Sequence, residues 1–156
     1  MTDADNPLNV LIVEDEVLLA VELGFIVRDV GCCEVGHAMS GDEALELAEA
    51  LHPDLALVDV QLRDGPTGID VARKIVKDCG VVALFMTANV KRLPADFAGA
   101  CGVIGKPYSE ASVRAALAYL RVCLGQGKAP GLPPPGLTLA PTYAEGWGLH
   151  DLPRAM

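Results

Sequence analysis

Short apolar runs and helical periodicities take turns along most of this chain, and few architectures accept that pattern. "NVLIV" (residues 9–13) shows no polar alternation, the mark of a strand buried on both faces. Residues 16–30 then place Leu19, Leu23, Ile26 and Val30 at helical spacing, broadened by Leu18, Val21 and Phe25, before Gly31 stops the helix. "CEVGHA" reads as a second strand. "SGDEALELAEALHPD" opens with Ser40 and Glu43 at capping-box spacing and ends at Pro53. "DLALVDV" is a third buried strand, "QLRDGPTG" a loop, and residues 68–78 a helix. "VVALFMT" is a fourth strand, followed by a polar stretch that Pro94 interrupts. "CGVIG" is the fifth, and Ser109 caps a helix running to about Leu124, with Val113, Leu117 and Leu120 on one face. Strand–helix alternation of this kind predicts an α/β fold: a parallel sheet with helices on both faces and ligands at the carboxyl ends of the strands.

Charge breaks abruptly at one such end. The first strand runs straight into Glu14, Asp15 and Glu16. Adjacent carboxylates repel, and a fold accepts them where a cation, a lysine or water compensates. Asp59 ends the third strand, Thr87 the fourth, and Lys106 follows the fifth. The predicted sheet brings these ends to one crevice. Several carboxylates suit Mg²⁺, which prefers oxygen ligands and keeps some of its waters. A lysine and a hydroxyl beside them can bind phosphoryl oxygens. A lone Glu-Asp pair after a strand is usually a solvated loop; the combination is what points to chemistry.

These residues resemble the response-regulator receiver domain, the CheY-like family of two-component signalling. The resemblance covers roughly residues 8–124 and rests on "VLIVEDE", "LALVDVQL", "LFMTA" and "GKPY", in that order. It implies a flavodoxin-like, doubly wound five-stranded parallel sheet of order 2-1-3-4-5. It implies Asp59 as phosphoacceptor, Thr87 and Lys106 as contacts to the phosphoryl group, and Mg²⁺ held by Glu14 (through water), Asp15, Asp59 and the Gln61 carbonyl. The phosphodonor would be a histidine kinase or histidine phosphotransferase, and the output an unidentified downstream protein, with a homodimer left open. Such a chain is a phosphoacceptor switch rather than an enzyme, although receivers slowly hydrolyse their own acyl phosphate, a lifetime that Gln61 and Asn89 would tune. Two positions depart from the pattern. Val103 stands three before Lys106, where the family usually has an aromatic switch residue, so the response is expected to run through Thr87 and residues 88–98. The shortened fourth-helix region resembles the alphaproteobacterial FATGUY single-domain receivers, although Thr87-Ala88-Asn89 replaces their Thr-Gly pair.

Other functions fit less well. An Mg²⁺-dependent phosphohydrolase with an aspartate nucleophile would show a DxD motif, where this chain has Asp59-Val60-Gln61. Nucleotide binding would need a glycine-rich loop after the first strand. A receiver-like adaptor without phosphorylation is the alternative that Val103 favours and the intact Asp15, Asp59, Thr87 and Lys106 oppose.

The formal net charge of −9 falls entirely within residues 1–124, since Lys128 and Arg154 offset Glu145 and Asp151 beyond. An acidic body disfavours nucleic acid and anionic membrane. No run reaches the roughly 18 apolar residues of a membrane span, and "MTDADNPLN" has no apolar signal segment. Five cysteines with no CxxC pair read as buried thiols in a reducing cytoplasm. His37, His52 and His150 stand apart and are assigned no chemistry. Residues 125–156 hold six Gly and six Pro and are expected to be a tail without helix or strand, carrying Leu137, Leu139, Tyr143, Trp147 and Leu149 as anchors for weak docking.

Overall fold

A computed structural model describes residues 7–62 and 67–149. The expected loop residues 63–66 and His150 lie outside the described residues. The elements follow as β1 (Asn9–Val13), α1 (Val17–Asp29), β2 (Cys33–Ala38), α2 (Gly41–Leu51), β3 (Leu55–Asp59), α3 (Gly68–Cys79), β4 (Val82–Thr87), β5 (Gly102–Gly105), α4 (Glu110–Gln126), β6 (Leu137–Leu139) and α5 (Pro141–Gly146). The sheet runs β2-β1-β3-β4-β5-β6, with the first five strands parallel. The expected order 2-1-3-4-5 is therefore observed, with one antiparallel strand added beside β5.

Two apolar clusters flank the sheet because successive residues of a buried strand face opposite ways. Val10, Ile12, Leu55, Leu57, Leu84, Met86 and Ile104 pack with α1 and α4 on one side. Leu11, Val13, Ala56, Val58, Phe85 and Val103 pack with α2 and α3 on the other. Strand residues from Val10 to Val13 and from Leu55 to Val58 have no exposed area, which is why these runs show no polar alternation.

Local signals act as the residues dictate. Ser40 Oγ accepts from Glu43 N at 3.3 Å, while the Glu43 carboxylate accepts from Met39 N at 2.8 Å, one residue before the cap. Ser109 and Ser112 form a reciprocal capping box at the start of α4. Between β4 and β5 no α-helix forms. Two short 3-10 turns, at Val90–Arg92 and Phe97–Gly99, fill the interval that Pro94 divides. Phe97 and Ala98 take left-handed backbone there, and Asp96 Oδ1 steadies the turn by accepting from Ala98 N at 2.9 Å.

The expectation of a patternless tail is corrected. Leu137 and Leu139 alternate with exposed Thr138, a strand pattern just three residues long, and Pro141 starts α5 at a position where its missing N–H costs nothing. Gly102 makes the pairing possible, since a Cβ there would lie 2.5 Å from the Thr138 carbonyl oxygen. The five named anchors all pack against the α1–α4 cluster, with Leu137, Leu139 and Trp147 buried.

Candidate functional site

Four of the five parallel strands deliver polar groups to the same end of the sheet. Glu14 and Asp15 follow β1, Asp59 ends β3, Thr87 ends β4 and Lys106 follows β5. One ligand oxygen from each of Glu14, Asp15 and Asp59 can be chosen so that all three lie within 4.8 Å of one another. Lys106 Nζ donates to Asp59 Oδ2 at 2.8 Å and stands 4.0 Å from Glu14 Oε1. Asp59 Oδ1 accepts from Gln61 N at 3.0 Å, and Thr87 Oγ1 accepts from Asn89 N at 3.1 Å. The structure thus brings together Glu14, Asp15, Asp59 and Lys106, with the Gln61 backbone on Asp59 and Thr87 at the neighbouring strand end.

Backbone packing sets these positions. Gly68 opens α3 directly against the end of β3: a Cβ would collide with the Asp59 carbonyl oxygen and lie 2.7 Å from Val60 Cα. His37, on β2, holds the other side by donating from Nε2 to the Glu14 carbonyl at 2.7 Å. The sequence reading gave His37 no role; its register beside β1 was the available signal, because residue 37 pairs with Ile12.

Electrostatic strain concentrates on Glu14. Its side chain has no exposed area, and Oε1 makes no hydrogen bond. Burial first, then the charge of Asp59 and contact with Asp15, push its carboxyl up to about 8, against the opposing Glu16 N–H and Lys106. Three crowded carboxyl groups and one ammonium leave net negative charge at a partly buried strand end. Oxygen donors only, a buried acceptor without a hydrogen bond and surplus negative charge fit a hard divalent cation such as Mg²⁺. They would not suit zinc, which prefers nitrogen and sulfur.

Among the described residues no helix is long and apolar enough to cross a membrane. Val103 is fully buried and paired with Phe85 on β4 and Thr138 on β6, so no aromatic ring occupies that strand position.

Comparison with known proteins gives a consistent result. The family described as "Response regulator receiver domain" matches residues 10–118. The phyllosphere-induced regulator PhyR of Methylorubrum extorquens is 35% identical over 116 residues, covering 73% of this chain and 43% of that protein. The transcriptional regulatory protein PdtaR of Mycobacterium tuberculosis is 39% identical over 113 residues, covering 69% of this chain and 55% of that protein. The chain therefore spans about half the length of these relatives. Among solved structures, the receiver domain of Erythrobacter litoralis PhyR superposes with a TM-score of 0.65 at 30% identity, covering 83% of this chain and 97% of that one.

Proposed function

Since this chain belongs to the response-regulator receiver family, we propose that it is a phosphorylation-dependent switch in which Asp59 accepts a phosphoryl group from a phosphohistidine. The observation that carries the reading is the Lys106–Asp59 contact at 2.8 Å beside the Glu14–Asp15–Asp59 cluster. In the transfer an Asp59 carboxylate oxygen attacks phosphorus, the P–N bond breaks, and its electron pair returns to the imidazole of the donor. Asp59 emerges as an acyl phosphate.

The chain's own groups prepare that step. The Gln61 N–H fixes one carboxylate oxygen of Asp59, which orients the other for attack. Lys106 holds its ammonium where charge gathers on the transferring group. The Thr87 hydroxyl accepts from Asn89, which leaves its proton to donate to a phosphoryl oxygen. Glu14, Asp15, Asp59 and the Gln61 carbonyl are the residues that would hold Mg²⁺, and when bound the ion supplies positive charge against the phosphoryl oxygens. Phosphorylation then biases the domain between two conformations, with Thr87 and residues 88–98 carrying the response in place of an aromatic switch.

Incubation with a small-molecule phosphodonor and Mg²⁺, followed by intact mass, tests the reading. A single phosphoryl adduct that disappears in Asp59→Asn is expected. Continuous consumption of donor without an adduct would mean a hydrolase, and no reaction would mean an adaptor.

The phosphodonor partner has a landing surface. Val17, Leu18, Val21 and Phe25 are 55%, 84%, 49% and 61% exposed on α1, which begins immediately after the acidic residues. A histidine kinase or phosphotransferase that reaches Asp59 would cover this apolar row, and output would follow by protein contact or onward phosphate transfer. Leu18→Glu is expected to slow phosphorylation by a phosphohistidine protein about tenfold or more, with the rate from a small phosphodonor unchanged. Equal rates from the protein donor would remove α1 from the interface. Five free thiols and the acidic surface support a cytoplasmic setting without nucleic acid.

A further inference from the structure

Backbone pairing between β1 and β2 reaches its last rung at Glu14, whose N donates to the Ala38 carbonyl at 3.0 Å. β2 ends there and the chain turns into α2: Met39 N is taken by the Glu43 carboxylate at 2.8 Å, and Ser40 becomes the cap. The Glu14 carbonyl finds its donor in a side chain instead, His37 Nε2, at 2.7 Å. A carbonyl oxygen can only accept, so this contact places a ring proton on Nε2.

The bond falls on the peptide unit that joins two members of the acidic cluster. That unit, between Glu14 and Asp15, is planar, so holding its oxygen also sets the direction in which Asp15 leaves the strand. Glu14 is then held at three atoms: its N by the Ala38 carbonyl, its carbonyl oxygen by His37, and Oε2 by Glu16 N at 3.2 Å. Both carboxylates project from this fixed backbone, and oxygens of Glu14, Asp15 and Asp59 lie within 4.8 Å of one another. Repulsion would drive the neighbours apart if the peptide between them could rotate. His37 is half-buried, so a water can replace a shortened side chain at the carbonyl. Water satisfies the acceptor without fixing its direction.

We infer that His37 is a positioning residue for the cluster's metal ligands: its Nε2–H holds the Glu14–Asp15 peptide so that both carboxylates face Asp59 as one ligand set. The inference rests on the reading that the cluster holds a divalent cation such as Mg²⁺. Residues that orient metal ligands commonly change ion affinity roughly 10–100-fold when removed. β2, which supplies none of the cluster's carboxylates, thereby takes part in the site.

Calorimetric titration of Mg²⁺ into wild type, His37→Ala and His37→Gln tests this, together with metal-free melts and imidazole nitrogen NMR of wild type. His37→Ala is expected to bind Mg²⁺ about tenfold more weakly. His37→Gln, whose amide nitrogen stands as many bonds from Cβ as Nε2 does, is expected to recover most of that loss. The wild-type ring should carry a proton on Nε2, with a resonance that shifts on adding Mg²⁺ and saturates at the calorimetric dissociation constant. Unchanged affinity in His37→Ala, no recovery in His37→Gln, or an affinity loss that merely tracks a lower metal-free melt would each overturn the inference and leave the cluster reading standing. So would a ring without a proton on Nε2, or one indifferent to Mg²⁺, and this spectrum decides alone if His37→Ala fails to fold. A wild-type chain that binds no Mg²⁺ would overturn both.

Discussion

A chain ending at Gln126 is expected to lose several kcal/mol of stability, and Trp147→Ala alone about 3–5 kcal/mol. The reason is that β6 and α5 complete the core on the α1–α4 side. Leu137, Leu139, Ala144 and Trp147 are no more than 8% exposed and share a cluster with Cys101, Ile104, Leu117, Leu120 and Cys123. Ala140 N donates to the Cys101 carbonyl at 2.8 Å and the Tyr119 hydroxyl to the Gly131 carbonyl at 2.7 Å, which fastens the segment to the body. Ala129 N donates to the Trp147 carbonyl at 3.0 Å and closes the segment on itself. Ordering a Gly/Pro-rich connection opposes this gain, but prolines have less freedom to lose. Truncation would also leave β5 as an unpaired edge, a template for association. β5 leads directly into Lys106, so loosening it should degrade phosphoryl transfer as well as folding. For a chain of this size Trp147→Ala corresponds to a fall in melting temperature on the order of 10 °C. Leu132→Ala, at a position 70% exposed in the connection, should change it little. A truncated chain melting within a degree or two of the full one would show that residues 127–149 ride on the body without stabilising it.

What the residues announced, and what they withheld, follows from how local each signal is. The five parallel strands were legible because Val10 to Val13 and Leu55 to Val58 are buried on both faces and carry no polar interruption. The caps at Ser40 and Ser109 were legible because side chain and backbone lie within three residues of each other. "LTL" was not, being three residues long and framed by Gly136 and Pro141; only its neighbour across the sheet, Gly102, makes it a strand. The anchors were visible as apolar residues, while their binding surface is assembled from residues far away in sequence, on other elements. For the site, strand-end positions could be read from the alternation. The Lys106–Asp59 bond spans 47 residues and needed the strand order that the family resemblance supplied. His37 escaped because its hydrogen bond reaches the Glu14 carbonyl across neighbouring strands, 23 residues away, and no motif spacing encodes that.

Glu14 sets up the second large effect, a charge imbalance that metal and mutation should both relieve. Its carboxyl lies near 8 in the folded chain against the ordinary 4.5. Between those values the folded chain holds more protons than the unfolded one, so metal-free stability should fall as pH rises from about 4.5 to 8 and level off above. Mg²⁺ must displace that proton, so its affinity should rise with pH over the same window. At pH 8 Glu14 is about half ionised and faces Asp59 and Asp15, and Lys106 offsets only part of the repulsion. Asp59→Asn removes one of the charges, keeps an oxygen for only one of its two donors, Lys106 and Gln61 N, and should still stabilise the metal-free chain by about 1–2 kcal/mol at pH 8. The gain should shrink toward pH 5, where Glu14 is protonated. Mg²⁺ at a hundredfold excess over its dissociation constant should stabilise wild type by roughly 2.7 kcal/mol and Asp59→Asn by far less, because the variant loses a ligand as well as a charge. Asp15→Asn should share both effects. Glu46→Gln, at an exposed position on α2, should show neither. Thermal melts of these four chains at pH 5 and 8, with and without Mg²⁺, decide the matter. If Asp59→Asn and Glu46→Gln responded alike at both pH values, the carboxylates at the ends of β1 and β3 would not share a field, and the acidic cluster would have no claim on a cation.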